Sequence, residues 1–236
     1  MDICRVFVED PELAVGIDAS AKECVVRAFR LPSGRWAGEL TASVSRGIGL
    51  LVLEGLLLRR VGIDGRYGAE LLGEGDLIRP WQGEGARPAL RRTTGWQVLK
   101  PTRLAVLDEN AERQFAAYPE LTGRLVARAL ERSRNLAVNM AIVHQARVDT
   151  RLQMLFWHLA ERWGRVRTDG MLLPLHLTHT VLADLVAARR PTVTTALTDL
   201  SRRGFIVPVA EGWLVSGDPP GELLELSHGA GRDAAV

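Results

Sequence analysis

Two hydrophobic periods divide this chain. Over the first hundred residues apolar side chains come in short or alternating runs; from Asp108 onward they recur every three or four positions. The second period is sharpest between Leu177 and Gly217. There Leu182, Leu185 and Val186 share one helical face, and small Ala183 sits where another helix can cross closely. A second helix opens with Pro191, suited to a first turn, and carries Val193, Ala196, Leu197 and Leu200 on its inner face. Gly204 should stop it. Phe205–Val209 and Trp213–Ser216 then read as two strands around Glu211–Gly212. The pattern predicts helix, turn, helix and wing.

The outer face of that second helix is short and polar: Arg189, Arg190, Thr192, Thr194, Thr195, Asp199 and Arg202, with Arg203 next. Threonine and arginine can bond base edges and phosphates, and a single acid interrupts the set. Such a unit would place the helix in a major groove of double-stranded DNA. Thr178 should cap the first helix and, with His179, touch phosphate. Ala187 takes a turn position where glycine is common, and a left-handed alanine costs roughly 1–2 kcal/mol. The competing reading is a helical hairpin packed in a core, its arginines ordinary solvated charges.

Upstream, Val25–Leu31, Leu50–Glu54, Leu56–Val61 and Ala69–Leu72 read as strands, with further ones at Gln97–Leu99 and Arg103–Leu107. Glu54–Gly55, Asp64–Gly65 and Gly73–Asp76 punctuate them as hairpin turns, and Arg79–Thr94 reads as a loop. Helical sequence starts at Asp108, breaks at Tyr118–Pro119, and continues from Glu120 to about Arg147. Along that long helix Leu121, Leu125, Ala129, Leu136, Met140 and Val143 form a stripe with coiled-coil spacing, interrupted at Arg132. So long a helix with so narrow a stripe predicts a homodimer seam. Val148–Trp163 is a further helix, with Leu152, Leu155, Phe156 and Leu159 inward, so a hinge falls near Gln145–Asp149. The expected domains are a β-roll over 1–118, a dimerisation helix over 119–147, a winged helix over 148–226 and a mobile tail over 227–236. The fold class is α+β.

Composition narrows the function classes. With 236 residues, 47% hydrophobic and 25% charged, the chain is globular. A net charge of +2 is too mild for general adhesion to nucleic acid, so binding must rest on a local patch. No apolar run reaches membrane-span length and the start lacks signal-peptide character, so a cytoplasmic location and no membrane partner are expected. Cys4 and Cys24 give no disulfide framework. His176 and His179, with His144 and His158, are the only histidines that could suggest a metalloenzyme, and no acid is placed to complete a hydrolytic site. No catalytic residue, metal or cofactor is expected.

The order of β-roll, long helix and winged helix resembles the cyclic-AMP receptor/fumarate–nitrate regulator (Crp/Fnr) family of bacterial transcription factors. The resemblance runs from about Val25 to Ser216. It rests on LVLEGLLLRRV with LLGEGDLI in the roll, and on RVDTRLQMLFWHLAERWG before the helix-turn-helix. It implies an effector-sensing, cyclic-nucleotide-binding-like roll, a homodimer on a palindromic operator, and RNA polymerase as a further partner. Polymerase contacts leave no local signature, so activation or repression, and the target genes, are left unassigned.

The effector cassette departs from that family. Cyclic-nucleotide binders carry Gly-Glu shortly after the Gly-Asp turn, whereas Gly75-Asp76-Leu77-Ile78 is followed here by Arg79-Pro80-Trp81. The phosphate pair falls on Arg92–Thr93, and the residues that would meet adenine are Leu136 and Ala137, which cannot donate the same bonds. An unsatisfied base edge costs roughly 1–3 kcal/mol per group. Cyclic AMP is therefore not expected; an unidentified anionic effector at Arg79, Arg92 and Thr93, with Trp81 stacking, or no effector, is. In the recognition helix Arg190 matches the family's first guanine-reading arginine, while Pro191 and Thr195 replace the following acid and the second arginine, so the operator should differ. Two alternatives stay open: a haem- or redox-sensing regulator using Cys4, Cys24 or a histidine, and a dimeric scaffold that binds no DNA.

Overall fold

The computed structural model describes residues 2–16, 24–38, 47–81 and 91–217. It divides into two compact units, Met1–Leu136 and Ala137–Val236. The division falls inside the long helix, upstream of the expected hinge. The expected tail, 227–236, lies outside the described residues.

The first unit is built on one antiparallel sheet. Its strands are β1 (Asp2–Arg5), β2 (Val25–Leu31), β3 (Gly34–Trp36), β4 (Gly47–Ile63), β5 (Arg66–Gly73), β6 (Leu77–Ile78) and β7 (Thr93–Asp108). The order is β1-β2-β7-β4-β5, with β3 on β7 and β6 on β4. Two expectations need correction. Glu54–Gly55 is not a hairpin turn, and Leu50–Glu54 and Leu56–Val61 are parts of one strand, β4. Gly55 has φ 108°, and a Cβ there would lie 2.4 Å from Thr102 Oγ1, so the chain bulges against its neighbour and runs on. For the same reason Gln97–Leu99 and Arg103–Leu107 join into the single strand β7. Asp64–Gly65 does close a two-residue hairpin, with Ile63 opposite Arg66. At the Gly73–Asp76 turn the Asp76 carboxylate accepts the Gly73 N–H at 2.7 Å.

Period-2 alternation along β4 and β7 supplies two apolar clusters. Leu51, Ala105 and Leu107 join Cys4, Cys24, Val26 and Phe115 in one, and Leu50, Val52, Leu104 and Val106 join Leu57, Leu72, Ile78 and Trp96 in the other. A short helix α1 (Val6–Glu9) follows β1, and α2 (Glu109–Phe115) follows β7. Asp108 caps α2 by accepting the Asn110 and Ala111 amides at 3.0 and 3.1 Å.

The chain breaks before Pro119 as its sequence predicts, and α3 runs Pro119–Val143, four residues short of the expected end. Here the dimer-seam expectation fails in part. Leu121 and Leu125 are 1% and 4% exposed and belong to the first cluster of their own unit, so they cannot also serve a partner. Three arginines at helical spacing reinforce that inward face. Arg124 donates to the Leu13 and Val15 carbonyls. Arg128 pairs with Asp10 and Glu12, and Arg132 with Glu70 and the Leu77 carbonyl. Of the other stripe residues, Leu136 and Val143 are half-buried and Ala129 and Met140 exposed; Val126 and Leu130 are also exposed apolar positions on this helix.

The second unit holds α4 (Val148–Trp163), β8 (Arg165–Arg167), β9 (Gly170–Leu173), α5 (His179–Leu185), α6 (Arg190–Arg202), β10 (Ile206–Val209) and β11 (Gly212–Val215). All four apolar residues expected inside α4 are buried, as are Leu182, Leu185 and Val186 of the first short helix and Val193, Leu197 and Leu200 of the second; Ala196 is half-buried. Phe156 meets Trp213 edge-on at 5.2 Å. The expected wing forms, but within a four-stranded sheet of order β10-β11-β9-β8. The hairpin β8–β9 escaped the sequence reading, although Asp169–Gly170 ahead of Met171-Leu172-Leu173 is a turn-and-strand signal.

Candidate nucleic-acid interface

The helix-turn-helix is fixed at three points. Thr178 caps α5, its hydroxyl accepting the Val181 N–H at 3.3 Å, as expected. Ala187 makes the turn at φ 49°, the strained left-handed alanine that the sequence implies. Arg151 of α4 then holds that turn: Nη1 donates to the Val186 and Ala187 carbonyls at 3.1 and 3.4 Å, and Nε to the Gln145 carbonyl at 2.7 Å. Arg151 is a positioning residue that the sequence reading missed. A lone arginine on a helix carries no local sign of the carbonyls it will meet.

Helix α6 turns its apolar stripe inward and leaves Arg189, Arg190, Thr192, Thr194, Thr195, Asp199, Arg202 and Arg203 exposed, as predicted. Gly204, at φ 74°, ends it, a conformation other residues rarely adopt. The threonines are not free hydroxyls. Thr194 donates to the Arg190 carbonyl at 3.1 Å and Thr195 to the Pro191 carbonyl at 3.2 Å, which fixes their rotamers. His179 Nδ1 lies 3.0 Å from Thr194 Oγ1. That contact ties the start of α5 to the N-terminal half of α6, the hydroxyl and the ring sharing one hydrogen bond.

Beside α6 opens a cleft of about 840 Å³, lined by Arg147, Val148 and Asp149 at the start of α4 and by Pro191, Thr192, Thr195, Ala196, Asp199, Arg202 and Arg203. Asp149 takes both arms of the Arg147 guanidinium at 3.0 and 2.7 Å, and Arg203 approaches the same carboxylate to 3.8 Å. The Arg147 hydrogen bonds, first among several causes, hold the Asp149 carboxyl below its ordinary range against the opposing effect of burial. Asp199 faces Arg202 at 3.4 Å. Neither Arg147 nor Asp149 figures among the sequence-predicted contacts, because they precede α6 by some forty residues. The wing carries no guanidinium between Ile206 and Val215; Glu211 at its tip pairs with Arg167 of β8 at 3.1 Å.

The residues expected at an effector pocket attach to different stretches of β4. Arg79 follows β6, whose Ile78 pairs with Leu50, whereas Thr93 pairs with Gly62 at the other end of β4 (62 − 50, twelve positions along the strand). Arg92 precedes Thr93, and both are exposed. Trp81 packs partly against the second apolar cluster of the roll. Cys4 and Cys24 are buried, and burial pushes both thiols up, which disfavours the thiolate that metal binding or redox chemistry needs. Among the described residues no three His, Cys, Asp or Glu side chains converge to hold a metal ion, and no helix is long and apolar enough to cross a membrane.

Residues 150–219 match the Crp-like helix-turn-helix domain. A "CRP-like cAMP-activated global transcriptional regulator" of Mycobacterium tuberculosis is 31% identical over 129 residues, which are 53% of this chain and 56% of that protein. The chain thus spans about half the length of the curated relatives it matches. Two solved structures share the fold. A cyclic nucleotide-binding domain containing protein from Listeria monocytogenes EGD-e superposes with a TM-score of 0.65 at 13% identity, covering 87% of this chain and 96% of that one. A CooA mutant from Carboxydothermus hydrogenoformans gives 0.62 at 19% identity, covering 86% and 88%. At such identities the likeness is one of fold. The chain thus carries a Crp-like helix-turn-helix domain, and its roll-and-winged-helix architecture is similar to that of these solved structures.

Proposed function

We propose that this protein is a homodimeric, sequence-specific DNA-binding transcription regulator whose α6 enters the major groove and whose effector, if it takes one, is not cyclic AMP. One observation carries the reading. The polar face of α6, with Arg190 at its head and the rotamer-fixed threonines behind, is spent on no packing within its own unit. A helix that packed these arginines and threonines against its own core would contradict it; this one keeps them at the surface.

Roles follow from chemistry. Arg190 is placed to bond guanine bidentately, worth about 1–3 kcal/mol of discrimination. The methyls of Thr192, Thr194 and Thr195 suit thymine. Thr178, Arg189, Arg202 and Arg203 serve phosphates, which fix position and carry no sequence information. The dimer surface lies on the outward positions of α3, where Val126, Leu130 and Met140 are 52%, 58% and 63% exposed. Two recognition helices about 34 Å apart would then meet successive grooves of a palindromic site. Against cyclic AMP stand Pro80 in place of the ribose-binding acid and Leu136 and Ala137 on α3.

Selection of bound duplexes from a random pool, followed by titration of two variants, tests this. Arg190→Ala should lose discrimination at one guanine per half-site, whereas Arg203→Ala should weaken matched and mismatched duplexes alike. Failure to enrich any sequence would overturn the reading.

A further inference from the structure

The cleft beside α6 contains an acid in the wrong place for a surface that binds phosphate. Asp149 sits at its base with a side chain 20% exposed, while the guanidiniums it holds reach outward, Arg147 at 76% and Arg203 at 50%. The fork that Arg147 makes on its carboxylate is the geometry arginine uses on phosphate. So exposed a pair contributes little to stability. Among the lining residues three arginines face two aspartates, Asp149 and Asp199, leaving a net charge of one (3 − 2). We propose that Asp149 is a built-in competitor of the DNA backbone, holding Arg147 and Arg203 as a phosphate would and yielding them when a duplex seats.

This inference rests on the DNA-binding reading of α6 and adds Arg147 and Asp149 to its surface. Its consequence is a looser grip on every duplex. The acid cancels part of the charge that attracts every duplex equally, and it leaves the base-reading face of Arg190 and the threonines untouched. Affinity for the right site and for the rest of a genome falls by the same factor, so the acid sets how tightly and how salt-dependently the chain holds DNA, while preference among sites stays with Arg190 and the threonines.

Retention of a selected duplex and of a scrambled one by the full chain, at 50 and 200 mM salt, tests it with Asp149→Asn. That change removes the charge and keeps the size. Both duplexes should bind about fivefold tighter at 50 mM, as expected for one charge removed about 4 Å from a phosphate. The salt slope should steepen by about 0.9, so the gain shrinks about 3.5-fold by 200 mM. Asp149→Ser, which keeps a first-turn acceptor, gives the same reading should the amide perturb folding, as judged by thermal unfolding. Unchanged affinity and slope in a folded variant would overturn the proposal while the wild type's binding upheld the DNA reading. Weaker binding would overturn it too, making Asp149 an organiser of the two arginines. A wild type that retains neither duplex would sink the DNA reading and the proposal with it.

Discussion

Glu70 is the test of how α3 is fastened to its own roll. Its side chain is 6% exposed and receives Arg132 through Nη2 at 2.7 Å and Nε at 3.2 Å, with Arg59 Nε at 2.5 Å from the same carboxylate. Burial holds the Arg59 guanidinium below its ordinary range, helped by the charge of Arg132 and opposed by Glu70. Glu70→Gln keeps the shape and removes the one negative charge between two cations. Removing one partner of a fully buried pair costs about 3–5 kcal/mol. Arg59 and Arg132 remain 28% and 19% exposed, so water recovers part of this, and we expect a loss of about 2–4 kcal/mol. Urea unfolding, with amide hydrogen exchange on β5 to localise the effect, measures it. The triple change Arg59→Met, Glu70→Leu and Arg132→Met removes every charge and should restore most of the loss. A loss below about 1 kcal/mol for Glu70→Gln, or a triple variant no better than the single one, would refute the reasoning.

Three further outcomes are expected. Ala187→Gly relieves a left-handed alanine worth about 1–2 kcal/mol and gives back about 0.4–1 kcal/mol in unfolded-chain entropy, so the winged-helix unit should gain about 0.5–1 kcal/mol in thermal unfolding. For Asp108, burial acts upward but is outweighed by the hydrogen bonds from Arg27, Ala111 and Asn110, and the carboxyl is held low. A folded pKa below the unfolded value contributes stability that is complete above about pH 4 and lost as pH falls through the folded pKa; Asp108→Asn should flatten that acid limb of the unfolding curve. Leu130→Arg on the outward side of α3 should yield monomers in analytical ultracentrifugation, and an unchanged dimer would move the interface elsewhere.

The sequence was most legible where one period and one environment coincide. In α4, α5 and α6 a single apolar stripe meets a single core, and the inward residues and the Thr178 cap follow directly. Local signals failed where the deciding contact is remote. Glu54–Gly55 has the composition of a turn, yet Thr102 across the sheet makes it a bulge in β4. Leu121 and Leu125 have the spacing of a seam, yet the roll beneath α3 claims them. The same holds at the DNA-facing surface: Arg190 and the threonines announce themselves as a motif, while Arg147, Asp149 and Arg151 join it only through the packing of α4 beside α6 and the turn.

The claim that everything else serves is that the outer face of α6 lies in a major groove. Methylation of guanine N7, which projects into that groove, can be scored for interference with binding to a selected duplex. We expect blocked guanines in two symmetric clusters one helical turn, or a whole number of turns, apart, with the cluster opposite Arg190 lost in Arg190→Ala. Binding that tolerates N7 methylation at every guanine of the site would contradict the account.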